Sequence, residues 1–281
     1  MPDDVKTRII DELLADLEQD RLVLPTLPEV ALRVRDTLED ENASLKDVAE
    51  VIRTDAALSA RLIQVANSPL MRTSRTIDTV EGAVTRMGGN MVRNLVTSMV
   101  MEQMFQATSE ATDTRLRALW THSLEVGAIA HALASRYTRL DPSQALLCGL
   151  VHDIGALPIL ARAEEVPELL ADEALLDAVI RDTHASLGRA ILERWHFPPE
   201  QVTAVAEHEN LARAHDGPAD LADVVTVANL QSHLGTGHPL TREDWSTVPA
   251  FDKLGLAADI NVVEMEQTGD DIAAVKVALS A

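Results

Sequence analysis

Cysteine is almost absent: Cys148 is the only one in 281 residues. That excludes a disulfide-stapled scaffold and fits a reducing compartment. Its setting in the apolar run Ala145 to Val151 reads as a core thiol rather than a reactive one. Basic residues are scarce as well. With 24 Lys and Arg against 45 Asp and Glu the formal charge is −21, so the surface repels polyanions and sequence-independent nucleic-acid binding is disfavoured. The first residues, Met1-Pro-Asp-Asp-Val-Lys6, lack the basic and apolar regions of an export signal. The longest apolar segment, Ala145 to Leu160, is interrupted by His152-Asp153 and contains Pro158, which argues against a membrane span. The expectation is a soluble, cytoplasmic protein with no membrane partner. Internal repeats, low-complexity tracts, heptads and alternating β-branched runs are missing too.

What remains is a chain with 46% hydrophobic and 25% charged residues, long enough for about two domains. Apolar residues recur at spacings of three and four, which predicts an all-α fold. Ser44-Leu-Lys-Asp47 reads as a capping box, Asp55 as an N-cap, and Asn67-Ser-Pro69 as a stop. The spacing predicts helices over Asp3 to Glu18, Pro28 to Glu39, Thr79 to Thr85 and Asn90 to Phe105. The polar stretch Gln106 to Asp113 is either a boundary, dividing an N-terminal lobe (1–108) from a second helical part (109–281), or an ordinary interhelical loop. The second part is expected to hold helices near Leu116 to Tyr137, Ser143 to Ile154, Glu168 to Asp172, Asp182 to Trp195, Pro199 to Leu211 and Pro218 to His233. A loop, Gly235 to Gly255, precedes a last helix near Val262 to Leu279; Trp245, Phe251 and that helix read as packing.

Polar residues stand on the apolar faces of that second part. His122 is in register with Leu119, Val126 and Ile129. His152 and Asp153 end a helix that is apolar on every side. His184 shares a face with Gly188 and Ile191, and Asn229 follows Ala222 and Val225. His208 has Ala204, Val205 and Leu211 on its side but Glu207 and Glu209 next to it. A buried carboxylate needs a cation or several donors, so Asp153 needs a partner. Imidazoles and a carboxylate converging from separate helices suit Zn, Mn, Fe or Mg and the activation of water against a phosphoester. The bland alternative is a set of satisfied core histidines, with Asp153-Ile-Gly155 as a helix end and Gly155 in a left-handed cap.

The run Val151-His-Asp-Ile-Gly155, with His122 upstream in Leu119-Trp-Thr-His-Ser123, resembles the HD superfamily of metal-dependent phosphohydrolases. The wider chain, over about residues 20 to 235, resembles the HDOD family, the HD-related output domain of bacterial signalling proteins. Leu24-Pro-Thr-Leu-Pro-Glu-Val30, Asp55 to Pro69, Thr76 to Gly88, Thr183-His-Ala-Ser-Leu-Gly188, Arg194-Trp-His-Phe-Pro198 and Val205-Ala-Glu-His208 carry that likeness. It implies two lobes, an N-terminal helical lobe packed on an HD-like helical subdomain. It also implies metal ligands at His122, His152, Asp153 and a final Asp, where this chain has Asn229. His184 and His208 match further histidines of the related HD-GYP phosphodiesterases. Their Lys after HD-I-G, their paired His and their Gly-Tyr-Pro are replaced by Ala156, Glu209 and the run Asn210 to His215.

The function implied first is a non-catalytic regulatory module in signal transduction, whose HD site and interlobe cleft bind a signalling protein or a nucleotide. The alternative is a metal-dependent phosphohydrolase with a divalent transition metal on His122, His152, Asp153, His184 and His208. A third, weaker reading is nucleic-acid recognition by short helices around Leu45 to Asn67 and the cluster Arg72, Arg75, Arg86 and Arg93, whose ordinary reading is a solvated surface.

Overall fold

The computed structural model describes residues 2–71, 76–106 and 109–279. Among them there is no strand. The first helices are α1 (Pro2–Glu18), α2 (Glu29–Glu39), α3 (Leu45–Arg53), α4 (Ala56–Ala66) and α5 (Val80–Met101). Then follow α6 (Glu110–Tyr137), α7 (Pro142–Val151), α8 (Ala156–Glu165), α9 (Pro167–Ala171), α10 (Glu173–Arg194) and α11 (Pro199–Glu207). The chain ends with α12 (Leu221–Ser232), α13 (Pro249–Leu254) and α14 (Glu266–Leu279).

Local chemistry sets the starts. The Ser44 backbone N–H donates to Asp47 Oδ2 at 2.7 Å, and Asp55 Oδ1 accepts from the Leu58 N–H at 2.9 Å, so both expected caps form. The two helices expected between Thr79 and Phe105 are one element interrupted at Gly88, whose φ of 76° suits glycine. Two expected boundaries move outward. Helix α6 begins at Glu110 rather than Leu116, because Ser109 and Thr112 dock on Glu164 Oε1 at 2.5 and 2.6 Å. Helix α10 begins at Glu173 rather than Asp182, capped by Asp172. Arg72 and Arg75 lie outside the described residues.

Helices α2 to α5 pack on one another, and α5 lies against α7 through a buried Asn94 to Ser143 hydrogen bond of 3.0 Å. Helix α1 reaches α10, where Lys6 pairs with Asp182 at 2.6 Å. In the second part α6 and α7 form the central pair, with α8, α10, α11 and α12 around them. The apolar stretch Pro142–Glu165 has the length and composition to cross a membrane, but its most apolar part is 83% buried inside the protein and the chain bends at His152–Gly155 between α7 and α8.

Glycines allow the central helices to touch. A Cβ on Gly149 would meet the Gly127 Cα at 2.6 Å, so α6 and α7 cross backbone to backbone. A Cβ on Gly155 would lie 1.9 Å from the His184 carbonyl oxygen and 2.6 Å from the Gly188 nitrogen. Gly155 was a candidate left-handed cap; instead its φ of −65° and ψ of −13° are right-handed and it starts α8. Close approach, not a positive φ, demands glycine there.

The segment 235–255, expected as loop, contains two single-turn 3₁₀ helices and α13, which Gly255 terminates in the left-handed conformation. Phe251 is buried and its ring stacks on Trp245 at 5.9 Å. Helix α14 starts at Glu266, later than Val262, and its residues meet both α6 and α4. Arg136 pairs with Asp271 at 2.5 Å, Lys276 pairs with Glu125, and Arg61 on α4 donates to the Leu279 carbonyl.

Two outcomes follow. Replacing Gly155→Ala is expected to destabilise the protein by about 3 kcal/mol, because backbone atoms must move to admit the methyl group; urea denaturation measures it. Burial pushes His131 on α6 down to about 4, against the pull of Asp271 and Asp141. Its folded pKa is below the unfolded value, so its stability contribution is complete above pH 6.5 and is lost as pH falls from 6.5 toward 4. The loss should amount to about 3 kcal/mol, read as a steeper pH dependence of the urea midpoint in the wild type than in His131→Gln.

Candidate metal centre

The sequence-derived residues arrive from four places. His122 comes from the middle of α6, His152 and Asp153 from the turn between α7 and α8, His184 from α10, and His208 from the residue that ends α11. All five come together. Asp153 Oδ2 lies 3.3 Å from His152 Nε2 and 3.7 Å from His122 Nε2. Its other oxygen, Oδ1, lies 3.3 Å from His184 Nε2 and 3.4 Å from His208 Nε2. The carboxylate therefore stands between two imidazole pairs, one to each oxygen, and each triad has its ligand atoms within 4.8 Å of one another. His208, ambiguous in the sequence because of its acidic neighbours, is 1% exposed.

The outer ring nitrogens fix the tautomers. Nδ1 of His152, His184 and His208 lies 2.7, 2.8 and 2.7 Å from the carbonyl oxygens of Gly149, Ile180 and Val205. A carbonyl only accepts, so each Nδ1 carries a proton and each ring turns its Nε2 inward. Those nitrogens face one another in pairs: His152 and His122 Nε2 are 3.2 Å apart, as are His184 and His208 Nε2. Two bare nitrogens at that distance repel unless a proton or a metal cation lies between them. The same histidine-to-carbonyl support orients metal ligands generally.

Electrostatics agree. Burial pushes His152 well below the ordinary histidine range, and burial likewise lowers His122. Burial opposes ionisation of Asp153, but the facing imidazoles, His152 first and then the hydrogen-bonding His208, hold it well below the usual carboxylate range. For His208 burial acts downward, yet its hydrogen bond with Asp153 carries it upward. Asn229 completes the set: its side chain acts on His122, and its Oδ1 is buried without a hydrogen-bond partner. Imidazole nitrogens, one ionised carboxylate and an orphaned amide oxygen form a donor set that fits a borderline divalent cation.

One side of Asp153 opens into a cavity of about 540 Å³, within the range of small-molecule sites. His122, His184, Leu119, Leu160 and Ile180 line it, with Arg115 and Arg181 also at its wall. Sequence reasoning missed two neighbours, His233 and His238, and gave a third, Glu209, only as the residue standing in place of a paired histidine. Glu209 Oε2 lies 3.8 Å from His184 Nε2. The His122 ring stacks on His233 at 4.8 Å, and His233 stacks on His238 at 3.8 Å, so the segment after α12 forms part of the cavity wall. His233 follows Asn229 by four residues, a helical spacing that could have placed it on the same face. No comparable signal marks His238.

An all-helical chain with this histidine and aspartate arrangement belongs to a class defined by an HD-type centre. The HDOD domain model matches residues 24–211, and the chain belongs to the HDOD family. It is 33% identical to a candidate metal-dependent phosphohydrolase from Shewanella amazonensis SB2B, with a TM-score of 0.86 over 98% of this chain and 99% of that one. An HDOD domain protein of unknown function from Geobacter sulfurreducens shares the fold at 21% identity and a TM-score of 0.65, over 96% and 99% of the two chains. An uncharacterized protein from Treponema pallidum (strain Nichols) is 27% identical over 221 residues, covering 74% of this chain, and the match spans 42% of that relative's length.

Protein purified without chelators or metal-affinity resin is expected to carry transition metal near stoichiometry by elemental analysis. Asp153→Ala, which removes the carboxylate shared by both triads, should lower that content at least about tenfold.

Proposed function

We propose that this chain is a regulatory module of signal transduction whose HD-type centre binds divalent metal and, with it, a phosphate-bearing small molecule of the nucleotide class. The observation that carries this reading is the placement of Asp153: each carboxylate oxygen faces its own pair of inward-turned imidazole nitrogens. His122, His152 and Asp153 would hold one cation and Asp153, His184 and His208 another. When bound, such ions supply Lewis-acid polarisation of a phosphoryl oxygen. The chain's own residues do the rest. Asp153 offsets cation charge, the three backbone-tethered rings keep their lone pairs aimed, and Leu119, Leu160 and Ile180 exclude water on one side of the cavity. Arg115, paired with Asp177 at 2.6 Å, and the more exposed Arg181 present positive charge at its wall. The family membership and the likeness to a candidate metal-dependent phosphohydrolase support the same reading.

Phosphoester hydrolysis is the second reading, favoured by the room beside Asp153. Asn229 weighs against it, since a neutral amide contributes less to a cation than a carboxylate. We place the division between the two lobes at 108/109, where the N-terminal helices give way to α6.

The test is calorimetry with mono- and dinucleotides on metal-loaded protein, followed by assay of phosphate release. Binding without turnover supports the regulatory reading, and turnover abolished by Asp153→Ala supports hydrolysis. Absence of nucleotide binding with metal present would sink both. Asn229→Asp should raise metal affinity about tenfold, measured by competition with a chromophoric chelator.

A further inference from the structure

The lobes meet over a second crevice, away from the metal centre. Its walls come from α2, α5, α7 and the turn into α11, and they include Arg35, Arg93, Asn94, Leu147, Phe197 and Gln201. It measures about 80 Å³, roughly the share of two or three liquid waters. The cleft expected from the sequence is thus present, and Arg35, Arg93 and Gln201 bring polar groups into a lining that is otherwise mainly apolar.

The polar groups at its wall are incompletely paired within the fold. Gln201 is 3% exposed, yet its amide makes no hydrogen bond among the described residues. Buried amides are ordinarily paired. Asn94, 2% exposed, uses one N–H on Ser143. Arg93 has no carboxylate within 4 Å among the described residues, only Asn90 Oδ1 at 3.5 Å, although acidic residues outnumber basic ones 45 to 24. Arg35 is fixed by donating to the Trp195 carbonyl at 2.7 Å, and its other edge leans on exposed Asp36 at 3.3 Å. Glu39 also borders the crevice, but as an exposed residue at the last turn of α2. N–H groups of Arg93, Asn94 and Gln201 are therefore left to meet an acceptor in the crevice.

We propose that this crevice binds a small oxyanion, the phosphate or carboxylate group of a diffusible ligand, on the guanidinium groups of Arg93 and Arg35 and the amide of Gln201. Planar guanidinium forks and amide N–H groups match an oxyanion's lone pairs, and the size admits one such group. The position links it to the rest of the molecule. Leu147 precedes His152 by five residues along α7, and Gln201 precedes His208 by seven along α11. An occupant touches both helices that end in the metal centre. The proposal stands whether or not that centre holds metal.

The experiment titrates full-length Asp153→Ala protein with inorganic phosphate and, separately, with acetate, by calorimetry and thermal melting. That background disables anion capture at the metal centre. One of the two anions is expected to bind with one site per chain, and which one does so identifies the group. Arg93→Gln and Gln201→Leu in the same background should each weaken binding about tenfold or more, with unchanged helicity by circular dichroism. If Asp153→Ala fails to fold, Asp153→Asn or the wild-type chain takes its place and Arg93→Gln carries the comparison. Absence of binding by either anion overturns the proposal, as does affinity that survives both substitutions.

Discussion

The contacts of Gly149 on Gly127 and of Gly155 on the His184 and Gly188 backbone hold the rest of the architecture in place. Without the first, α6 and α7 would stand apart by the thickness of a side chain and His122 would not reach His152. Without the second, the turn that carries Asp153 would withdraw from α10 and from His184. Backbone contact of this kind leaves little room for relaxation, because protein interiors are packed as densely as organic crystals. The position of the ionisable groups is thus decided by four small residues that carry no chemistry of their own.

The electrostatic consequences follow from that geometry. A carboxylate drawn into a helical core pays a desolvation cost that only charge or several donors can offset. Four imidazoles surround it, and three of them have surrendered their outer N–H to a backbone carbonyl. Their Nε2 atoms meet in close pairs around the carboxylate, an arrangement that needs a proton or a cation between the nitrogens. The buried orphan oxygen of Asn229 has the same need. A cluster built only to fill a core would be expected to close its own hydrogen bonds.

Much of this was legible in the sequence, for identifiable reasons. Ser44, Asp55 and the apolar spacings act locally, so helix starts and the all-α class could be read directly. His122, His184 and Asn229 announced themselves as polar residues in register with apolar neighbours. Gly155 was harder, since the same residue serves a left-handed cap and a close crossing, and only the opposing helix tells them apart. His238 sits in a segment rich in turn residues, whose path over the cavity is set by the packing of Trp245 and Phe251 and not by any periodicity.

The last helix changes how the chain would carry a mechanical load. Helix α14 is fastened to α6 through Arg136 with Asp271 and Glu125 with Lys276, and to α4 through Arg61 at the Leu279 carbonyl. A pull beyond residue 279 therefore loads α6, the helix that bears His122, and at the same moment α4 of the first lobe. Tension at that end reaches both lobes in parallel, making the C-terminal helix a common lever on the centre and on the lobe packed against it.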